Sequence, residues 1–401
     1  MSERHLLVFA GAGLTKSLER KGGPRVPLMA DFIATMADYV DNDVIRTALS
    51  ELDREHVFEH PFPEAQELAY QLTRPDGNTA ERRAAYRALL KTRPAENIES
   101  LLARAESIAP NGIPLLRFKF AINAFFAAFG SSLDLTPVTQ FLKSEFAHST
   151  SRRTFVSFNY DLALDQCLQA GGHWHPSDGY GIPIKRKFSA GAASEHMQQF
   201  AQGGGSFTVA NLLPLEPHDG AAPAVHLLKP HGSLDLLMPY EGNYNEQDGE
   251  PVVVVDDGGR VSYYAGFSLD HVRCGSGDPL QLLRLAPFLV PPAPAAKRRT
   301  LALHESLCSL EREAVRTATD VYVIGWSMPK TDEDQRALIR DNVAQRESPI
   351  ERLVVINYGA GPDYYRDVAD TFAVELKRVE VFNNGFTEYV RQCCGDAKPP
   401  A

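Results

Sequence analysis

His231 sits between Pro230 and Gly232 in the run Lys229-Pro230-His231-Gly232-Ser233, directly after an apolar stretch. An imidazole titrates near neutral pH, so a histidine held at a strand end can take a proton from a hydroxyl or a water, or orient one. Asn159 and Asp161 stand in the same kind of place, in Ser157-Phe158-Asn159-Tyr160-Asp161. An amide both donates and accepts, which suits the positioning of a water or a sugar hydroxyl. Gly11-Ala12-Gly13 closes a third apolar stretch. Two residues without side chains there let a diphosphate approach backbone N–H groups at the positive end of the following helix. Lys16 occupies the place of the third glycine in the six-residue dinucleotide fingerprint, so this turn alone is a weak signal. Gly325-Trp326-Ser327 and Asn357 end two further apolar stretches. Each feature also has a local explanation. His231 can bond its own loop, Asn159 and Asp161 can close a turn or cap a helix, and the residues from Ser327 to Asp332 can start one. Their joint occurrence at strand ends favours a single site, because the carboxyl ends of strands in an open parallel sheet line the ligand crevice.

The elements that must carry these residues follow from the pattern. Residues 5–10 read as a short buried strand running into the glycine turn. From 28 to 146 the apolar positions recur at three- and four-residue intervals, as in 29–40, 65–72, 80–90 and 98–105, with no clear strand between them. This reads as one long helical insertion after the first βα unit. Residues 153–158 and 224–228 read as strands, 171–220 as loop and irregular structure, and 252–264 as a β-hairpin around Asp256-Asp257-Gly258-Gly259. Residues 287–297 read as a proline-rich loop. The last third alternates strictly: helix 301–318, strand 320–324, helix 332–344, strand 352–356, helix 364–372, strand 379–382. Such alternation predicts a parallel sheet covered on both faces. The expected fold is a doubly wound α/β core over 1–27, 150–240 and 285–401. A helical insertion fills 28–149, and a hairpin and loop insertion fills 241–284.

Composition bounds the function classes. The 401 residues, 44% hydrophobic and 23% charged, suit a soluble globular protein of one large domain with insertions or two modest ones. A net charge of -10 argues against a dedicated binder of nucleic acid or anionic membrane. The short basic runs Lys185-Arg186-Lys187 and Lys297-Arg298-Arg299 read as solvated loop charge. Five cysteines in no even spacing give no disulfide framework, and the apolar stretch 121–129 is too short to span a bilayer. With no secretion signal pattern, the expected location is cytoplasmic.

Taken in order, Gly11-Ala12-Gly13, Phe158-Asn159-Tyr160-Asp161, Lys229-Pro230-His231-Gly232-Ser233 and Gly325-Trp326-Ser327-Met328-Pro329-Lys330-Thr331-Asp332 resemble the motifs of bacterial sirtuin-like domains. Pro291-Pro292 with Lys297 is similar to that family's proline loop. The resemblance covers roughly 1–25, 150–240 and 285–390, the Rossmann-like parts. Many such domains hydrolyse NAD in defence against bacteriophage. The resemblance implies that Gly11, Ala12 and Gly13 cradle the NAD diphosphate, with either Thr15 or Ser17 as the family's serine after the turn. It places Asn159 and Asp161 near the nicotinamide ribose and carboxamide, and makes His231 the catalytic histidine. Gly325 and Ser327 then contact phosphate, and Asn357 the adenosine ribose.

Two departures bear on the reaction. No two cysteines have the C-x-x-C spacing of the zinc ribbon found in deacylating sirtuins, and no metal is expected. Phe158 stands where those deacylases carry a glutamine. Both favour simple cleavage of the nicotinamide–ribose bond to ADP-ribose and nicotinamide, through an oxocarbenium-like transition state. A deacylase, an ADP-ribosyltransferase and a non-catalytic NAD or ADP-ribose sensor are the alternatives. Such cleavage needs control, so the chain is expected to act as a homo-oligomer or beside a partner. The resemblance suggests a DNA-translocating ATPase or an Argonaute-like protein.

Overall fold

A computed structural model describes the chain except for residues 1–3, 21–22, 24–25, 28–30, 75, 109–111, 148–151, 190–196, 203–204, 218–224, 241–249, 267–270, 274–283, 291–300, 330–331 and 395–401. Pro291, Pro292, Lys297, Arg298, Arg299, Lys330 and Thr331 thus lie outside the described residues, as does Cys274.

Six strands form a parallel sheet: β1 (His5–Ala10), β2 (Arg152–Ser157), β3 (Val225–Leu228), β4 (Asp320–Ile324), β5 (Arg352–Ile356) and β6 (Val379–Phe382). Their spatial order is β6-β5-β4-β1-β2-β3. This is the order of a doubly wound, Rossmann-like sheet, and the chain reverses direction across the sheet at β1 and β4. The strand sequences dictate it. Every residue of β1 and β4 is buried, as continuous Leu/Val/Ile/Phe runs require when helices cover both faces. The register pairs Ala10 with Ser157 on one side and with Ile324 on the other. The turns after β1, β2 and β4 therefore emerge at one level.

The helical insertion is present and precedes β2, with helices Phe32–Met36, Asp43–Arg54, Pro63–Leu72, Ala80–Thr92, Ile98–Ile108, Ile113–Gly130 and Thr136–Ala147. Ile113–Gly130 is predominantly apolar, and Phe118, Phe120, Phe125 and Phe129 are fully buried, so it is the spine of this subdomain. Asp43–Arg54 packs on it and begins at Asn42, whose Oδ1 accepts from the amides of Val44 and Ile45. Among the described residues no helix is long and apolar enough to cross a membrane.

Two expectations are corrected. The stretch 171–220 is not merely irregular: it contains strands Arg186–Ser189, Met197–Gln202, Gly205–Asn211 and Leu213–Pro214. Arg186 and Lys187 accordingly lie on a strand and not in a loop. The start of the expected proline-rich loop is strand instead, because Pro287 lies within Arg284–Leu289, beside a register shift that accommodates it. Arg284–Leu289, Gly232–Tyr240, Val252–Val255, Arg186–Ser189 and Leu213–Pro214 build a second, mixed sheet. The turn at 256–259 closes as expected, with Asp256 N donating to Arg260 O, but its return arm makes only a single bridge from Val261 to Val255.

Asn123, fully buried on the spine helix, joins the insertion to the second sheet. Its Nδ2 donates to Leu234 O at 2.7 Å, and its Oδ1 accepts from Tyr264 N at 3.0 Å. Asn123→Ala leaves both backbone groups buried and unpaired, and should lower stability by about 2 kcal/mol or more. Urea denaturation tests this, and an unchanged midpoint would refute the role given to Asn123.

Candidate active site

The carboxyl ends of β1, β2 and β4, with the loop after β3, open onto one cleft whose free volume is about 100 Å³. Gly11, Ala12 and Thr15 line it from the first turn, Asn159 and Asp161 from the second, His231 from the third and Ser327 from the fourth. Residues up to 321 positions apart in the chain, Gly11 and Asp332, thus face one space. Gly13, Ser17, Gly325 and Asn357 do not line it.

The glycines are used differently from the expected cradle. The Gly11 and Gly13 N–H groups donate to Ile324 O and Gly325 O, both at 2.9 Å. A Cβ on Gly11 would lie 2.5 Å from Trp326 Cα, and one on Gly13 would lie 2.7 Å from Gly325 Cα. Gly325 itself has φ +60, and a Cβ there would meet Leu14 N at 2.3 Å. The three glycines let the β1 and β4 turns pack backbone against backbone. Thr15, not Ser17, reaches the cleft; Ser17 Oγ instead donates to its own helix at Leu14 O. Asn357 Oδ1 accepts from Tyr358 N, and its backbone pairs with Phe382 and Gly385, so it fastens the ends of β5 and β6.

Asn159, Thr15 and Asp161 form a directed chain. Asn159 Nδ2 donates to Gly11 O at 2.9 Å and to Thr15 Oγ1 at 3.0 Å. Thr15 Oγ1 donates to Asp161 Oδ2 at 2.6 Å, and Asp161 Oδ1 accepts from Ala163 N at 3.0 Å. Gly11 O can only accept, so the Asn159 nitrogen must face it, which leaves the Asn159 carbonyl oxygen for a ligand. Burial raises the Asp161 carboxyl above its ordinary range, while the Lys229 ammonium and the Thr15 bond pull it back down.

His231 is held by its backbone. Val290 N donates to His231 O at 2.9 Å, and Gly232 follows at φ +91, where a side chain would strike Phe288 O. Its ring packs against Phe158 with centroids 5.5 Å apart, and Phe158 stacks on Trp326 at 4.5 Å. Two carboxylates flank the imidazole: Glu99 Oε1 lies 3.6 Å from Nδ1, and Asp332 Oδ1 lies 3.6 Å from Nε2. Asp332 is fixed by Trp326 Nε1, which donates to its Oδ2 at 3.1 Å. Sequence reasoning missed Glu99 altogether, since nothing marks it on the amphipathic helix Ile98–Ile108. Tyr160 and Asp332 fell within quoted motifs without being assigned a role; both line the cleft.

Behind this layer lies a buried ionic network. Lys229 Nζ donates to Asp161 O at 2.7 Å and to Asp165 Oδ2 at 3.1 Å. The Tyr180 hydroxyl lies in hydrogen-bond contact with Asp165 and, at 2.7 Å, with Asp235. A phenol has one proton, so when it donates to Asp165 it must accept from Asp235. Asp235 is suited to hold that proton, because burial and the neighbouring Asp165 push its carboxyl up to about 7.

This folded-state value lies above that of an exposed carboxyl, so the folded chain binds the extra proton. Its stabilising contribution is complete in acid and is lost as pH rises through about 7. Glu311, raised by burial to about 8, acts with the same sign. Asp235→Asn should therefore make the fall in melting temperature between roughly pH 4 and pH 7 shallower than in the unmodified protein. Parallel melting curves across that window decide it, and equal slopes would refute the shared proton. Comparison with known proteins finds neither a matching family model nor a curated relative of this chain.

Proposed function

We propose that the chain is an NAD glycohydrolase that cleaves the nicotinamide–ribose bond to release nicotinamide and ADP-ribose. One observation carries this reading: His231 and Asn159 face the same cleft as the Gly11-Ala12 turn, at the point where the strand order of the sheet reverses. Open α/β sheets bind their ligands at that point.

The residues divide the work as follows. Departure of a positively charged nicotinamide needs little acid assistance, so the demand falls on the cationic ribose that remains. Glu99 and Asp332 give this end of the cleft a negative potential in a largely buried setting, which favours positive charge developing nearby. His231 draws the proton from the attacking water or from a ribose hydroxyl, and the flanking carboxylates stabilise the imidazolium that results. Asn159 offers its carbonyl oxygen to the same water or hydroxyl. Asp161 acts through Thr15 as a positioning residue, fixing the hydroxyl that receives the Asn159 amide. The Gly11 and Gly13 amides are engaged within the protein, so the diphosphate role implied by the family resemblance falls to Ala12, Thr15 and Ser327 at the cleft wall. The wider reading is a gated effector of antiphage defence, controlled by self-assembly or by a partner such as a DNA-translocating ATPase or an Argonaute-like protein.

His231→Ala and Asn159→Ala should each lower nicotinamide release by on the order of a hundredfold, the scale for losing a positioned acid–base group. Incubation with NAD alone, without an acylated or nucleophilic acceptor, tests this and separates hydrolysis from acyl or ADP-ribosyl transfer. Wild-type turnover in both variants would overturn the assignment. Sizing the protein alone and mixed with the product of a neighbouring gene, with turnover followed in each fraction, tests the gating. A monomer of constant activity in every fraction would refute it.

A further inference from the structure

We propose that Glu99, His231 and Asp332 form a binding site for a divalent first-row transition ion such as Zn²⁺, and that loading it silences His231 as a base. The second half rests on the glycohydrolase reading; the first half does not.

One ligand atom from each of the three residues lies within 4.8 Å of the other two, and all three residues are buried. A tetrahedral ion with bonds of about 2.1 Å holds its ligands about 3.4 Å apart, so the trio has to draw in by up to about 1.4 Å, with the imidazole turning one nitrogen to the ion. The residues come from three separate places: the helix Ile98–Ile108, the turn after β3, and Asp332 at the start of the helix Glu333–Val343. One imidazole with two carboxylates is a donor set for Zn²⁺ or Mn²⁺ and not for a thiolate-loving ion.

Two further observations point to a ligand. Asp332 Oδ1, the oxygen turned towards His231, is buried without a hydrogen bond, while its Oδ2 is already held by Trp326. The Tyr160 hydroxyl, on a residue 8% exposed, is also buried without a hydrogen-bond partner and feels the charges of both Glu99 and Asp332. A water carried on the ion would give this hydroxyl its partner. The ring nitrogen that binds the ion no longer has a lone pair for a proton, so metal loading and base catalysis compete for one group.

The test titrates metal-free protein with Zn²⁺ by calorimetry. One equivalent should bind, and Glu99→Gln and Asp332→Asn should each weaken that binding tenfold or more. No binding at 100 µM Zn²⁺, on the order of a very weak site, or binding that both variants retain, overturns the site. X-ray absorption of the Zn²⁺-loaded wild-type protein decides the matter even if a variant fails to fold. A shell of oxygens with one imidazole supports the site, and sulfur in the shell, as from Cys393 or Cys394, overturns it. Nicotinamide release is followed on the same samples. Release that Zn²⁺ stops and a chelator restores supports the silencing, and release unaffected by bound Zn²⁺ overturns it. Absence of release with and without metal overturns the glycohydrolase reading and the silencing together, while the Zn²⁺ isotherm still decides the site.

Discussion

The geometry at the strand ends depends on one buried positive charge. The Lys229 ammonium, on a residue 3% exposed, stands among the buried residues Asp161, Asp165 and Asp235 and bonds the first two directly. Removing a partner from a buried ion pair costs roughly 3–5 kcal/mol, because the remaining charge is stranded away from water. Here the consequence extends past stability. Lys229 holds the carbonyl of Asp161, the Asp161 carboxylate holds Thr15, Thr15 receives Asn159, and Asn159 holds Gly11 O. The turns after β1, β2 and β3 are therefore one hydrogen-bonded unit. The two side chains given chemical work, Asn159 and His231, sit at its surface, with His231 only two residues beyond the lysine.

A second constraint is steric and sets the other wall. Gly11, Gly13 and Gly325 allow the turns after β1 and β4 to touch, and this contact places Trp326 against Phe9 and Phe158. The aromatic stack then forms a firm floor beside His231. Just beyond it, Met328 is held at φ +50, a conformation uncommon for a side chain of its size, and it is buried. Strain of this kind persists where the surroundings over-determine the backbone. Here they bring Asp332 back to the imidazole within five residues of the exposed Ser327.

Much of this was legible in the sequence for a physical reason. Strands buried on both faces are continuous apolar runs, and the residues that end them must be polar or glycine. Gly11, Asn159, His231 and Ser327 could therefore be placed at strand ends, and the sheet brings those ends together. What the glycines do there was not legible, since close approach to a ligand and close approach to a neighbouring turn demand the same missing side chain. Thr15 and Ser17 could not be separated because a short helix turns one residue inward and the other outward, and only packing decides which. The strands between Arg186 and Pro214 were missed because that stretch is dense in glycine and polar residues, which masks even the hairpin of Met197–Gln202 with Gly205–Asn211 that lies wholly within it. Glu99 was hidden for a related reason. An acidic residue in the first turn of a helix is usually explained by the helix dipole, and the sequence does not say that this turn is pressed against His231.

That position limits how the site can be controlled. Glu99 is carried by a helix whose Ile98, Leu101, Leu102 and Ala105 are buried, and whose first turn is tied down by Asn97 Oδ1 accepting from Glu99 N at 2.8 Å. Swinging this helix away from the cleft would expose those four side chains, at a cost of roughly 5 kcal/mol or more. An equilibrium that steep leaves the open form populated below one part in a thousand, and a partner could shift it only by binding the open form correspondingly tighter. Control by displacing the insertion is therefore the expensive route. Access through the cleft mouth, or a change in what His231 shares with Glu99 and Asp332, requires no apolar surface to be uncovered. The insertion is accordingly better understood as a fixed wall that completes the site than as its lid.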